Sequence, residues 1–138
     1  MFIRNAPLRI TTMLISNSDI DFRYRSFLSE AQMRELTRAA VRLHILHHAA
    51  EEDIHGAWMS AELSNHGYSI SPGTLYPTLH RMQEQGLLTS RQEVIGGRPR
   101  RVYRATPQGL EALAEGRRAV AELAAEVLPQ PTKANDNE

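Results

Sequence analysis

Four arginines, Arg98, Arg100, Arg101 and Arg104, fall within the nine residues GGRPRRVYR of a chain whose formal net charge is zero. A guanidinium is a planar fork of donors suited to phosphate oxygens or to a narrow minor groove. The nearest acid in sequence is Glu93, one carboxylate against four cations. A solvated, salt-bridged loop is the ordinary fate of such a cluster, but the i, i+4 pairing that offsets charge on helices does not operate in a hairpin. A second cluster lies in LHILHHAAEEDIH, where His44 and His48, His47 and Glu51, and His48 and Glu52 are each four residues apart. Such pairs hold a metal when a third and fourth ligand converge. This is not the HExxH pattern of a metalloprotease. Histidines beside Leu43, Ile45 and Leu46 read first as interface or core-edge residues, so neither metal nor cofactor is expected. No nucleophile–base pair, phosphate loop or carboxylate pair marks an enzyme.

The chain has 138 residues, 41% hydrophobic and 23% charged, enough for one domain with appendages. It contains no cysteine, which excludes disulfides and thiolate metal sites and fits a cytoplasmic location. No apolar run is long enough to span a membrane. The opening MFIRNAPLRITTMLIS is not read as a signal peptide, because Arg4, Pro7 and Arg9 interrupt its apolar stretch. The zero net charge hides an asymmetry. Residues 71–106 carry six arginines against two acids, whereas residues 107–138 carry three bases against six acids. A local cation steers ligands whatever the total.

These groups must be positioned by secondary structure. Ser29 with Gln32 forms a capping-box pattern, and Leu36, Ala39, Leu43, Leu46 and Ala50 recur at helical spacing, predicting a helix from Glu30 to Ala50. The segment EEDIHG ends it. A second helix is expected over Ala57 to Asn65, stopped by Gly67. Ser71 as N-cap and Pro72 at the first position begin a third, running to Gln85 with Gly86 as its left-handed stop. Two β-compatible runs, LLTSRQEVI and RRVYRA, flank Gly96-Gly97 and read as a hairpin. Thr106-Pro107 starts a fourth helix that runs to about Leu128.

Three helices, a hairpin and a last helix make a winged helix-turn-helix, a mainly α fold with a small β-hairpin, plus a C-terminal dimerisation helix. On the third helix Leu75, Leu79 and Met82 share the buried stripe. Gly73, Thr74, Tyr76, Pro77 and His80 are turned outward, with Arg81 on the flank. That face is small and hydroxylated, and free N–H groups at the helix start, beside Ser71, suit a phosphate. The alternative is a capped surface helix that binds nothing, but the basic hairpin at the right distance favours DNA. Alternation sets Arg101 and Tyr103 on one strand face and Val102 and Arg104 on the other. On the fourth helix Leu113, Val120 and Val127 lie seven apart, with Leu110 and Leu123 beside them. The core of so small a domain cannot cover a helix of that length alone, so a dimer seam with Leu36 and Leu43 of the first helix is expected. Trp58, the single tryptophan, is either a packing residue or a flat wall for a planar ligand.

The blocks SPGTLYPTLHRMQEQGLL and GGRPRRVYRATPQGLEAL closely resemble the PadR family of bacterial winged-helix transcriptional regulators. The likeness spans roughly Leu36 to Val127 and is carried by SPGTLYPTL, GLL, the basic loop and YRATPQG at their spacings. The resemblance implies a homodimeric repressor on a pseudo-palindromic DNA operator, released by a small hydrophobic or aromatic effector. It also implies that Gly73, Thr74, Tyr76 and Pro77 lie at the DNA and that GRPRR is the wing. The chain would then comprise an N-terminal extension (1–28), the winged domain (29–106), a dimerisation helix (107–128) and a disordered tail (129–138). A single C-terminal helix places it in the short branch of the family, and the extension departs from the usual pattern. Two other readings are a metal-responsive sensor built on His44, His47 and His48, and a winged-helix module that binds protein rather than DNA.

Overall fold

Between Asn17 and Glu51 the sequence has no glycine or proline to stop a helix, and the computed structural model, which describes residues 17–129 with side chains from residue 29 onward, forms one helix over that whole span, α1 (Asn17–Glu51). The expected start at Ser29 is therefore wrong. Ser29 and Gln32 lie inside the helix, because a capping pattern acts only where the chain entering it is not already helical. The expected extension falls partly outside the described residues, as does the tail beyond residue 129.

The chain divides into two units, residues 1–36 and 37–138, and α1 contributes to both. The second unit holds the remaining elements: β1 (Ile54–His55), α2 (Gly56–Asn65), α3 (Pro72–Glu84), β2 (Leu88–Ile95), β3 (Arg98–Ala105) and α4 (Pro107–Val127). The fold is a mainly helical winged helix-turn-helix with a three-stranded antiparallel sheet in the order β1-β3-β2. The two-residue strand β1 was not legible in the sequence. It pairs Ile54 with Tyr103 and His55 with Val102, and two residues carry no alternation to read.

Each helix begins and ends for a local reason. His55 Nδ1 accepts the Trp58 N–H at 3.3 Å and caps α2. Gly67 (φ 85°) turns the chain beyond α2, and Gly86 (φ 76°) beyond α3. Thr106 does two things at once: its Oγ1 accepts the Gly109 N–H at 3.0 Å and donates to the Gly86 carbonyl at 2.5 Å. The start of α4 is thereby tied to the end of α3.

The core is built from Ile45, Ile54, Met59, Leu63, Leu75, Leu79, Met82, Leu88 and Tyr103, all buried. The stripe of α1 that enters it is Val41, Ile45, Leu46 and Ala49. Of the line Leu36, Ala39, Leu43, Leu46 and Ala50 read from the sequence, Leu46 is buried and Leu43 and Ala50 pack against the core, whereas Leu36 and Ala39 are exposed. The reason is that α1 serves two contacts. Leu43, off the main stripe, lies against α4, where a Cβ on Gly116 would come within 2.5 Å of its Cδ1. Both Val102 and Tyr103 are buried although they point to opposite faces of β3. Burial raises the Tyr103 phenol above its usual pKa.

Candidate nucleic-acid interface

The first turn of α3 is held by its backbone, which leaves its side chains outward. The Ser71 carbonyl accepts the N–H groups of Thr74 and Leu75, each at 2.9 Å. The Ser71 hydroxyl makes no bond to the backbone and lies 3.3 Å from that of Thr74. Pro77 sits inside the helix and withholds a donor from the preceding turn, while Thr78 Oγ1 donates to the Thr74 carbonyl at 2.8 Å. Leu75, Leu79 and Met82 are buried as the periodicity requires. Ser71, Gly73, Thr74, Tyr76, Pro77, His80 and Arg81 are all exposed. The whole candidate face on this helix is thus open to solvent.

Two of these residues have neighbours the sequence did not reveal. The Tyr76 ring leans on Gly56 at the start of α2, where a Cβ would meet Tyr76 Cε1 at 2.5 Å and its hydroxyl at 2.9 Å. Only glycine leaves room for the ring in this pose. His80 Nε2 lies 3.2 Å from Glu84 Oε1.

The hairpin turns at Gly96 and Gly97, both with positive φ (59° and 77°), a conformation a side chain at either position would strain. Its register sets Ile95 opposite Arg98, Glu93 opposite Arg100, Gln92 opposite Arg101 and Thr89 opposite Arg104. Arg98, Arg100 and Arg104 therefore share one face, and Arg101 shares the other with Tyr103. Arg101 donates to Ser90 Oγ at 3.0 Å, and Ser90 donates to Gln83 of α3 at 2.8 Å, so this arginine is coupled to the third helix. Pro99 falls beyond the reach of β1, where β3 is an edge strand and the missing N–H is tolerated.

The acids near the hairpin are spent on another arginine. Arg91 donates to Glu93 Oε1 through Nε at 3.0 Å and Nη2 at 2.5 Å, and it is hydrogen-bonded to Asp53 as well. The bond from Arg91, aided by the charges of Arg91 and Arg104, holds the Asp53 carboxyl below its usual pKa, and the two acids raise that of Arg91. Arg104 Nη1 is 3.7 Å from Asp53 Oδ1, so it is partly compensated rather than free, unlike the expectation from the sequence. Arg98, Arg100 and Arg101 have no carboxylate partner among the described residues. The sequence pointed to Glu93 but not to Asp53, which is 38 residues from Arg91 and comes beside it only because β1 joins the sheet.

The residues expected at a dimer seam divide. Leu110, Val120, Leu123 and Val127 are exposed, as is Leu36. Leu113 is only 3% exposed and belongs to the chain's own core, and Leu43 packs against that core, so neither is free for a partner. Trp58 is half-buried with its ring edge-on to His48, centroids 5.2 Å apart, a packing role. His44, His47 and His48 line the part of α1 near α2 and α4. Burial, then the neighbouring rings of His66, His48 and His47, lowers the His44 pKa.

Residues 45–115 match the Transcriptional regulator PadR-like family. The chain is 69% identical over 96 residues to the transcriptional regulator Rv3488 of Mycobacterium tuberculosis, an overlap of 70% of this chain and 90% of that one. Among solved structures it is similar to a PadR family transcriptional regulator from Eggerthella lenta, with a TM-score of 0.62 and 32% identity over 75% of this chain and 91% of the other. It is also similar to the PadR-like regulator BC4206 from Bacillus cereus, with a TM-score of 0.59 and 26% identity over 69% and 90% of the two chains.

Proposed function

The chain belongs to the PadR-like family, whose members are DNA-binding transcriptional regulators and not enzymes, and from that premise we propose that it is a homodimeric repressor of a pseudo-palindromic operator. Its α3 face of Ser71, Gly73, Thr74, Tyr76, Pro77, His80 and Arg81 enters the major groove. Its wing arginines Arg98, Arg100 and Arg101 hold phosphates or the flanking minor groove. The observation that carries this reading is the local imbalance of charge: three guanidiniums on the glycine-turned hairpin with no carboxylate partner among the described residues, beside a helix start of small exposed residues. Arg104 sits at the base of the wing and shares Asp53 with Arg91, so it contributes less. No helix among the described residues is long and apolar enough to cross a membrane. As a regulator of transcription it would act in the cytoplasm, beside its DNA. A small hydrophobic or aromatic effector releases it.

Salt dependence tests the wing. Replacing Arg98, Arg100 and Arg101 with alanine should lower the slope of log affinity against log salt by about 1 for each phosphate no longer neutralised, on all duplexes alike. Replacing Arg104 alone should change it less. An unchanged slope in a folded triple variant would remove the wing from the mechanism, and a slope near zero in the wild type would favour a protein-binding module instead.

The α3 face should decide sequence rather than bulk affinity, because base edges specify while phosphates position. Selection from random duplexes with a Thr74, Tyr76 and His80 triple-alanine variant should return an altered or relaxed site. Recovery of the wild-type site with uniformly weaker binding would place recognition elsewhere.

A further inference from the structure

The sequence offers His44 and His48 as an i, i+4 pair, with His47, Glu51 and Glu52 beside them. The fold brings up two more candidates, Glu62 of α2 and His66 at its C-cap. His66 caps the C-terminus of α2, its N–H bonded to the carbonyls of Glu62 and Leu63, and the left-handed Gly67 follows. One ligand nitrogen from each of His44, His48 and His66 lies within 4.8 Å of the other two. Glu62 Oε1 is 3.5 Å from His48 Nε2 and 3.2 Å from His66 Nε2. Across a tetrahedral Zn²⁺ with bonds of about 2.0–2.1 Å, neighbouring ligand atoms stand about 3.3 Å apart. The carboxylate is thus already at ligand spacing from His48 and His66, and His44 must move closer to complete the set.

We propose that His44, His48, His66 and Glu62 form a binding site for one divalent transition-metal ion, of the class of Zn²⁺, joining α1 to the turn between α2 and α3. Three imidazoles and one carboxylate suit zinc, nickel or cobalt, and a chain without cysteine offers no thiolate for a softer ion. The site is walled by aromatic rings: Tyr68 lies edge-on to His44 at 5.3 Å and Trp58 edge-on to His48 at 5.2 Å. Stacking alone is a poor reason for convergence here. The His44 and His66 rings are 4.7 Å apart but tilted by 41°, so little ring overlap holds them together. A second group, His47, His48 and Glu51, competes for His48. It is the weaker site, because all three ligands come from one helix and Arg117 Nη2 lies 3.1 Å from His47 Nδ1. A guanidinium beside a ligand repels an arriving cation.

The test needs no DNA, so its failure leaves the regulator reading standing and the reverse also holds. Zn²⁺ is titrated into the full chain against a chromophoric chelator, with Co²⁺ as a spectroscopic probe of coordination number. One ion per chain is expected, with the intense visible bands of four-coordinate Co²⁺. His66→Ala should weaken binding at least about a hundredfold; His66 is an exposed cap, and circular dichroism would check its fold. His47→Ala and the distant His80→Ala should leave the affinity unchanged. Wild-type protein that binds no Zn²⁺ at micromolar concentrations, a His66→Ala chain that binds as the wild type does, or abolished binding in His47→Ala would each overturn the proposal.

Discussion

A Val120→Glu chain should elute as a monomer and bind the operator at least about a hundredfold more weakly than the wild type, the order of gain that two linked half-sites provide. The cause lies in α4. At 100° per residue, Gly109, Leu113 and Gly116 fall on the same side of the helix as Val120, Leu123 and Val127. In its first half that side is covered by the chain itself: Leu113 and Gly109 are buried and Gly116 meets Leu43. In its second half the side continues past the core, leaving Val120 53% and Val127 66% exposed. An apolar stripe that outlasts its own domain invites a second copy, and a winged domain with few base contacts gains discrimination from one. A buried glutamate would cost several kcal/mol unless the interface opened. Light scattering and binding to half-site and full-site duplexes decide the matter. A wild-type monomer that holds one half-site tightly would refute the dimer.

Gly109→Ala should destabilise the fold by about 2–3 kcal/mol, the range for overpacking a site that cannot yield. Its Cβ would stand 2.1 Å from the Leu87 carbonyl oxygen, a backbone atom held by the Thr106 N–H at 3.1 Å. Helix propensity favours alanine by at most about 1 kcal/mol, so the clash wins. For a domain of this size the melting temperature should fall by roughly 10 °C. Gly73→Ala is the matched control. Its nearest neighbour would be the Ser71 hydroxyl at 3.7 Å, and it should melt at or slightly above the wild-type temperature. If the two variants melted alike, the close approach of α4 to the end of α3 would be wrong.

Most of what depends on near neighbours was legible in the sequence alone, the start of α1, misread at Ser29, being the exception. Proline and glycine positions at Pro72, Gly86, Gly96 and Pro107 bound α3, the hairpin and α4, and the period of Leu75, Leu79 and Met82 oriented the helix whose opposite face is proposed to meet DNA. The block from Ser71 to Leu88, with the basic loop at its distance, carried the family. What stayed undecided until the chain folded was every choice between two apolar or two charged partners far apart in it. Leu113 and Val120 look equivalent at heptad spacing, yet one is core and the other is exposed, because the domain's own core ends between them. Arg98 and Arg104 look equivalent in a basic loop, yet Asp53 reaches only the second, through a two-residue strand with no periodicity of its own. His66 is one histidine among six, and only the packing of α2 on α1 brings it to His44 and His48. Local propensity acts over about one turn of helix or one hairpin, whereas burial and charge pairing are settled by whichever distant surface the chain brings to that place.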